Sequence, residues 1–176
     1  MDAQPLEQFA AAASAYCAYI DALSADRPRD LYSSLELLLA HLHVAILPIE
    51  ADPDAPETPD AESRDMTHNQ WKVLAQRLEQ LTADETNRLY DMHIESWKTT
   101  TPDDNYCAIR ATMLFDDLAD IYRDLSNGLH HWDLNTNDAR REASWKWRFN
   151  YEIHWGTHLA RAMQTIHEIR YRLNAN

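Results

Sequence analysis

Apolar side chains recur every three to four residues along most of the chain, which is the spacing that places them on one face of an α-helix. The break between the third and fourth stretches depends on Thr82 or Asp84 acting as a helix cap, so the pattern gives five to six helices. The predicted helices cover about residues 5–23, 29–47, 67–81, 82–97, 104–127 and 137–173.

The sequence PIEADPDAPETPDAESRD, at residues 48–65, departs from this pattern. It is rich in Pro, Asp and Glu and contains few apolar side chains that a core would bury. We therefore expect a mobile acidic loop at about residues 48–65, without a functional site.

Glycine is nearly absent, since Gly128 and Gly156 are the only two in the chain. Phosphate-binding and dinucleotide-binding loops need several glycines, and tight β-hairpins commonly use Asn-Gly or Asp-Gly, so these features are excluded or disfavoured. Abundant Ala, Leu, Glu and Arg favour helix. The prediction is an all-α fold, a single irregular helical bundle that forms one domain over residues 1–176. Gly128 is expected in the left-handed position that ends a helix.

The formal net charge is −13, from 29 acidic and 16 basic side chains. This charge repels a phosphate backbone and an anionic lipid surface, so neither nucleic acid nor a membrane is expected as a partner. The N-terminus lacks the basic residues and long apolar run of a secretory signal, which favours a cytoplasmic protein. Cys17 and Cys107 match neither a disulfide framework nor a metal knuckle, and we expect both to be small core residues.

Two histidines form the candidate site. His154 and His158 are four residues apart in the last predicted helix, so their imidazoles project from the same side and are able to share a metal ion. The zinc-protease pattern HExxH is excluded because Trp155 follows the first histidine. The preceding helix offers carboxylates along one flank, at Asp117, Asp120 and Asp124.

If the two flanks meet, a His/Asp site for Mn, Fe, Zn or Mg forms between the last two long helices. Arg148 is a candidate anion clamp beside it. The sequence identifies no cofactor with certainty. The His/Asp cluster suggests a divalent metal ion. The competing interpretation is that the carboxylates are solvated and the histidines hydrogen-bonded without any ion.

Aromatic residues and a glycine suggest a second kind of site. We expect mainly core positions for Trp145, Trp147 and Trp155, but an exposed subset of them would form a binding surface. Gly156 lies inside a predicted helix, where glycine costs about 1 kcal/mol relative to Ala, so something is expected to approach its backbone closely.

The sequence resembles a bacterial domain family of unknown function, DUF5063. The resemblance rests on DDLADIYRDL, at residues 116–125, followed by WKWRFNYEIHWGTHLARAMQTIH, at residues 145–167, with weaker similarity in the first two helices. It covers nearly the whole chain. The resemblance implies an all-helical bundle. It implies no activity, substrate or catalytic residue.

Three functions are compatible with these features. The first is a binding or adaptor module for a protein partner, or for self-association, which uses the aromatic and acidic surface of the last two helices. The second is a metal-dependent hydrolase or oxidoreductase at the His/Asp cluster. The third is a ribonuclease of the HEPN type, suggested by the Arg-to-His spacing at Arg88 and His93 and again at Arg148 and His154. The balance favours a non-enzymatic protein.

Overall fold

The structure is a computed structural model that describes residues 3–24, 26–97 and 114–172. These residues form helices and no β-strand, so the predicted all-α helical bundle is confirmed. The helices are α1 (Ala3–Ala22), α2 (Leu31–Ile46), the short α3 (Pro59–Glu62), α4 (His68–Trp97), α5 (Leu114–Trp132), α6 (Asn137–Asn150) and α7 (Gly156–Tyr171), with a π-helical turn (Tyr151–Trp155) between the last two.

Helix α5 lies at the centre of the packing and contacts α1, α3, α4, α6 and α7. Its apolar side chains Leu118, Ile121 and Leu125 are fully buried. Two of its backbone carbonyls also accept hydrogen bonds from aromatic side chains, the Leu118 oxygen from the Tyr16 hydroxyl (2.9 Å) and the Leu125 oxygen from the Trp147 indole (3.1 Å). These bonds satisfy buried polar groups and fix α1 and α6 against α5.

Helix α4 corrects the predicted break at Leu81. It is one continuous helix of 30 residues, because no Pro or Gly interrupts it and the Thr82 hydroxyl donates to the Leu78 carbonyl one turn earlier (3.0 Å) instead of capping a new helix. Its start agrees with the prediction. Thr67 and Gln70 form a reciprocal capping pair, in which the Gln70 side chain accepts from the Thr67 N–H at 2.8 Å. Cys107 and the predicted start of the next helix lie outside the described residues.

The expectation for Gly128 was wrong. It lies inside α5, has a negative φ, and is buried against the Trp147 indole. A Cβ at this position would come within 2.5 Å of the indole carbons Cδ1 and Cε2. The helix continues to Trp132, and the residue with a positive φ after it is Asn135, at 56°. Close packing, and not a helix cap, therefore explains this glycine.

The π-helical turn interrupts what the pattern predicted as one continuous helix. In it the Gly156 N–H donates to the Tyr151 carbonyl, five residues earlier. An uninterrupted α-helix would place Trp147 and Trp155 about 80° apart around its axis, at about 100° per residue. The wider turn removes much of this offset, and both indoles are fully buried against Phe9, with ring centroids 5.0 and 6.0 Å from it.

The acidic segment 48–65 is attached to the bundle at several points. Ile49 and Ala61 are buried, and Asp52 pairs with Arg141 of α6 at 2.8 Å. The Thr58 hydroxyl donates to the buried Glu142 carboxylate and contacts the Nδ1 atom of His131. The sequence did not predict these contacts, because each depends on a partner about 75 to 90 residues further along the chain.

The described helices include none that is long and apolar enough to cross a membrane. Cys17 is a free thiol in the core, as expected, and burial raises its pKa above the usual range.

The Gly128→Ala substitution tests the packing explanation. In an open helix interior this change stabilises a protein by about 1 kcal/mol. Here we expect a loss of about 1–3 kcal/mol in the free energy of unfolding, because the added methyl group overlaps the buried indole. Urea denaturation measures the change. In a Trp147→Phe background the cost should fall, and an equal cost in both backgrounds would contradict the explanation.

The His131 imidazole generates a pH prediction. Its side chain is fully buried, and burial, followed by the charge of Lys146, lowers its pKa below the usual 6.5. Below pH 6.5 the unfolded state therefore binds a proton that the native state does not, and stability falls by up to about 1.4 kcal/mol per pH unit. Urea unfolding between pH 7.5 and 5 should show a shallower decline for His131→Gln. The exposed His167→Gln should leave the decline unchanged; identical slopes for wild type and His131→Gln would refute the prediction.

Candidate metal centre

Three carboxylates of α5 point toward the π-helical turn and α7. Asp117, Asp120 and Asp124 follow one another at intervals of three and four residues, which places them along one side of the helix. Asp117 is 1% exposed and Asp120 7%, and the side chain of Asp124 is 11% exposed. Carboxylates this deeply buried need cations or hydrogen-bond donors nearby.

His154 and His158 supply donors from the opposite side. His154 Nδ1 lies 2.7 Å from Asp124 Oδ2, and His158 Nδ1 lies 2.7 Å from Asp117 Oδ1. The two imidazole rings are 4.6 Å apart between centroids. The structure thus brings together the two histidines and all three aspartates that the sequence singled out.

Two arginines that the sequence interpretation missed offset part of the negative charge. Arg123 pairs with Asp120 at 2.7 Å, and Arg161 contacts Asp117 Oδ1 through Nε at 3.1 Å and Nη2 at 2.8 Å. Each follows a site residue by three positions, a spacing that would have indicated the same helix face. With Asp116 the cluster contains four carboxylates and two guanidinium groups, so it has an excess of negative charge.

The excess negative charge and the burial affect the protonation of the carboxyl groups. Burial raises the pKa of Asp124, although its hydrogen bond to His154 opposes this. Burial also raises the pKa of Asp116, and the nearby Asp120 and Asp117 raise it further. The cluster is therefore short of positive charge in the described structure.

The carboxylate contacts also fix which ring nitrogens are free. A carboxylate accepts hydrogen bonds, so Nδ1 is the nitrogen from which each histidine is placed to donate to Asp124 or Asp117. In the tautomer that donates from Nδ1, the lone pair lies on Nε2, and His158 Nε2 is 3.5 Å from Asp120 Oδ2. Asp120, His154 and His158 each offer one ligand atom, and these atoms all lie within 4.8 Å of one another. This donor set fits a single divalent transition-metal ion.

Arg148 does not join this cluster in the contacts that the structure describes. Its Nε donates to Glu152 at 2.9 Å and its guanidinium lies over the Tyr151 ring. The described geometry therefore gives no support to the predicted anion clamp. Arg123 and Arg161 are the guanidinium groups that the described structure places against the site.

The predicted aromatic binding surface loses two of its members. Trp147 and Trp155 are fully buried, so the core interpretation holds for both. Trp145 is half-buried and stacks on Phe149, with ring centroids 4.9 Å apart. The expected close approach to Gly156 is real, and comes from the backbone carbonyl and ring of Tyr151 in the π-helical turn.

A shallow groove of about 530 Å³ runs along α7 beside the cluster. Thr157, Arg161 and Gln164 are among the residues that line it. Arg161 also touches Asp117 and His158, so it links the groove to the candidate metal centre, although His154, His158 and Asp120 do not line the groove. It offers hydrogen-bonding groups to a small molecule.

The fold and the cluster define an all-helical protein with a buried His/Asp centre between two of its helices. The chain belongs to the DUF5063 family, a domain of unknown function, whose profile matches residues 3–172. No curated protein matches it. Its fold is similar to the crystal structure of protein BF1032 from Bacteroides fragilis, with 20% sequence identity, a TM-score of 0.72 and coverage of 95% of each chain. This similarity concerns the fold alone.

Proposed function

We propose that the protein binds one divalent transition-metal ion through His154, His158 and Asp120, and that the bound ion activates water for hydrolysis of a small substrate. The observation that carries the proposal is the pair of Nδ1 contacts to Asp124 and Asp117. In metalloproteins a carboxylate commonly holds the far nitrogen of a histidine ligand, fixing its tautomer and orientation. Here both histidines have this support, and the remaining nitrogen of His158 lies 3.5 Å from Asp120 Oδ2.

The charge of the cluster supports an ion as well. Ion pairing alone leaves four carboxylates against two guanidinium groups, in a place where burial makes unbalanced charge costly. One divalent cation would offset the two excess negative charges. It would also give each ligand atom a bonding partner. His158 Nε2 and Asp120 Oδ2 do not form a good hydrogen bond with each other, because they are 3.5 Å apart.

Three protein ligands leave coordination positions for water and substrate, as catalytic zinc sites do. A bound divalent ion lowers the pKa of its water toward neutrality and so supplies a hydroxide nucleophile. The groove beside Arg161 provides room for a small substrate. Iron-dependent oxidoreductases use a similar set of two histidines and one carboxylate, and the metal that supports activity distinguishes the two reaction classes.

Partner binding is the second candidate function, supported by one surface feature. Trp145, Phe149 and Ile153 follow one another at intervals of four residues, and Phe149 is 38% and Ile153 63% exposed. Such an apolar strip suits a protein partner or self-association. The ribonuclease alternative gains no support, because Arg148 is paired with Glu152 and the side chains of Arg88 and His93 lie outside the described part of the chain. A cytoplasmic location stays a prediction.

Metal titration tests the ligand assignment. Protein purified without a His-tag and treated with chelator should bind one equivalent of Zn²⁺ or Co²⁺ in calorimetry. His154→Ala and Asp120→Ala should weaken binding by on the order of 100-fold or more, because each removes a ligand. Asp124→Asn should weaken it by about 10- to 100-fold, because it removes only the support of a ligand.

His167→Ala is the matched control, since this exposed histidine lies on the same helix away from the cluster. It should bind metal like the wild type. Absence of stoichiometric binding in the wild-type protein, or an equal loss in the His167→Ala variant, would overturn the ligand assignment.

Hydrolysis has its own test. The metal-loaded protein should cleave activated small esters or phosphodiesters, such as the p-nitrophenyl compounds, and chelation should abolish the reaction. Asp120→Ala should reduce the rate by about 100-fold or more, because the nucleophile depends on the bound ion. His167→Ala should retain the wild-type rate. Stoichiometric metal binding without turnover across such a panel would remove the hydrolase assignment and leave metal binding in place.

A further inference from the structure

The second group of potential ligands in the cluster lies on the other side of His158. Asp116, Asp117 and His158 each offer one ligand atom, and these atoms are within 4.8 Å of one another. Acidic residues gathered in this way are common without any ion. The surroundings of the two Asp117 oxygens distinguish this group from such clusters.

The two oxygens of Asp117 have very different surroundings. Oδ1 accepts from His158 Nδ1 and from two nitrogens of Arg161. Oδ2 is buried and has no hydrogen-bond partner among the described residues, on a side chain that is 1% exposed. A buried carboxylate oxygen without a donor is costly, and a cation is one of the few groups that relieves this cost.

One of the two close contacts of the Arg161 guanidinium in this cluster is unfavourable. Its Nη2 atom lies 2.8 Å from Asp117 Oδ1 and also 2.8 Å from His158 Nδ1. When Nδ1 carries the proton that it donates to Asp117, the contact between Nη2 and Nδ1 brings two donors together and forms no hydrogen bond. The guanidinium therefore fits the charge of this position better than its hydrogen-bonding geometry.

We propose that Asp116 and Asp117 form a second cation position, which the Arg161 guanidinium occupies in the native chain. This inference rests on the proposed metal site at His154, His158 and Asp120, and adds a second one. A divalent ion in place of Arg161 would take as ligands the Asp116 carboxylate and the Asp117 carboxylate, whose Oδ2 atom has no partner among the described residues.

Arg161 thus keeps the centre mononuclear. Its removal leaves the four carboxylates with a single guanidinium, that of Arg123, so the electrostatic attraction for a second divalent ion increases. Its side chain is 34% exposed and lines the open groove, so it has space in which to swing away from Asp117. We expect a neutral residue of similar shape to open the second position.

The test is the metal stoichiometry of chelator-treated protein reloaded with Zn²⁺ or Mn²⁺, measured by native mass spectrometry and elemental analysis. Wild type should bind one ion and Arg161→Gln two. Arg161→Lys, which keeps the positive charge, should bind one. Adding Asp116→Asn to Arg161→Gln should return the count to one, which distinguishes a built site from adventitious binding.

The outcomes separate the two proposals. One ion in both wild type and Arg161→Gln would overturn the second position and leave the proposed metal site intact. No ion in any variant, with circular dichroism showing that each is folded, would overturn the proposed site and this inference together. Two ions in the Arg161→Gln variant that also carries Asp116→Asn would show that Asp116 is not a ligand and would overturn the inference.

Discussion

The arrangement of α5 and α7 depends on the buried carboxylate of Asp117. At 1% exposure this group cannot be solvated, so its charge must be compensated by side chains of the neighbouring helix. His158 and Arg161 meet this need from a single turn of α7. If α7 were rotated or shifted by a few residues, both donors would be lost at once. The carboxylate therefore restricts how the two helices can pack.

The π-helical turn reconciles this restriction with the core. Helix α6 must bury Trp147 against Phe9 and Gly128, and the residues that follow must present histidines to α5. A regular helix would turn Trp155 away from the face that holds Trp147. The extra width of the turn places both indoles in the core, and the Trp155 indole donates to the Trp147 carbonyl at 3.0 Å. Such turns often occur near functional sites.

Buried ion pairs contribute little to stability by themselves, because desolvation of the charges offsets their attraction. Well-packed apolar residues at these positions would serve a purely structural role at least as well. The proposed metal ion would give a reason, other than stability, for a cluster of four carboxylates, two histidines and two arginines inside a helical bundle. The contact of each imidazole Nδ1 with a carboxylate is consistent with that proposal.

The sequence alone determined the helical class and which His and Asp residues share a helix face. Helical spacing is a local property, so the predicted helices, the helix start near residue 67 and the shared face of His154 and His158 follow from residues within a few positions of one another. The same reasoning located Asp117, Asp120 and Asp124 on one flank of α5. These features needed no knowledge of how the helices pack.

Only the tertiary structure decided which long-range partners these residues meet. The position of Gly128 depends on an indole 19 residues away, and the anchoring of segment 48–65 depends on α5 and α6. The burial of Trp147 and Trp155 depends on the π-helical turn, which a wheel of fixed 100° steps does not contain. Arg161 was missed because its role comes from a carboxylate on another helix. Periodicity describes one helix at a time, whereas burial and charge compensation arise between helices.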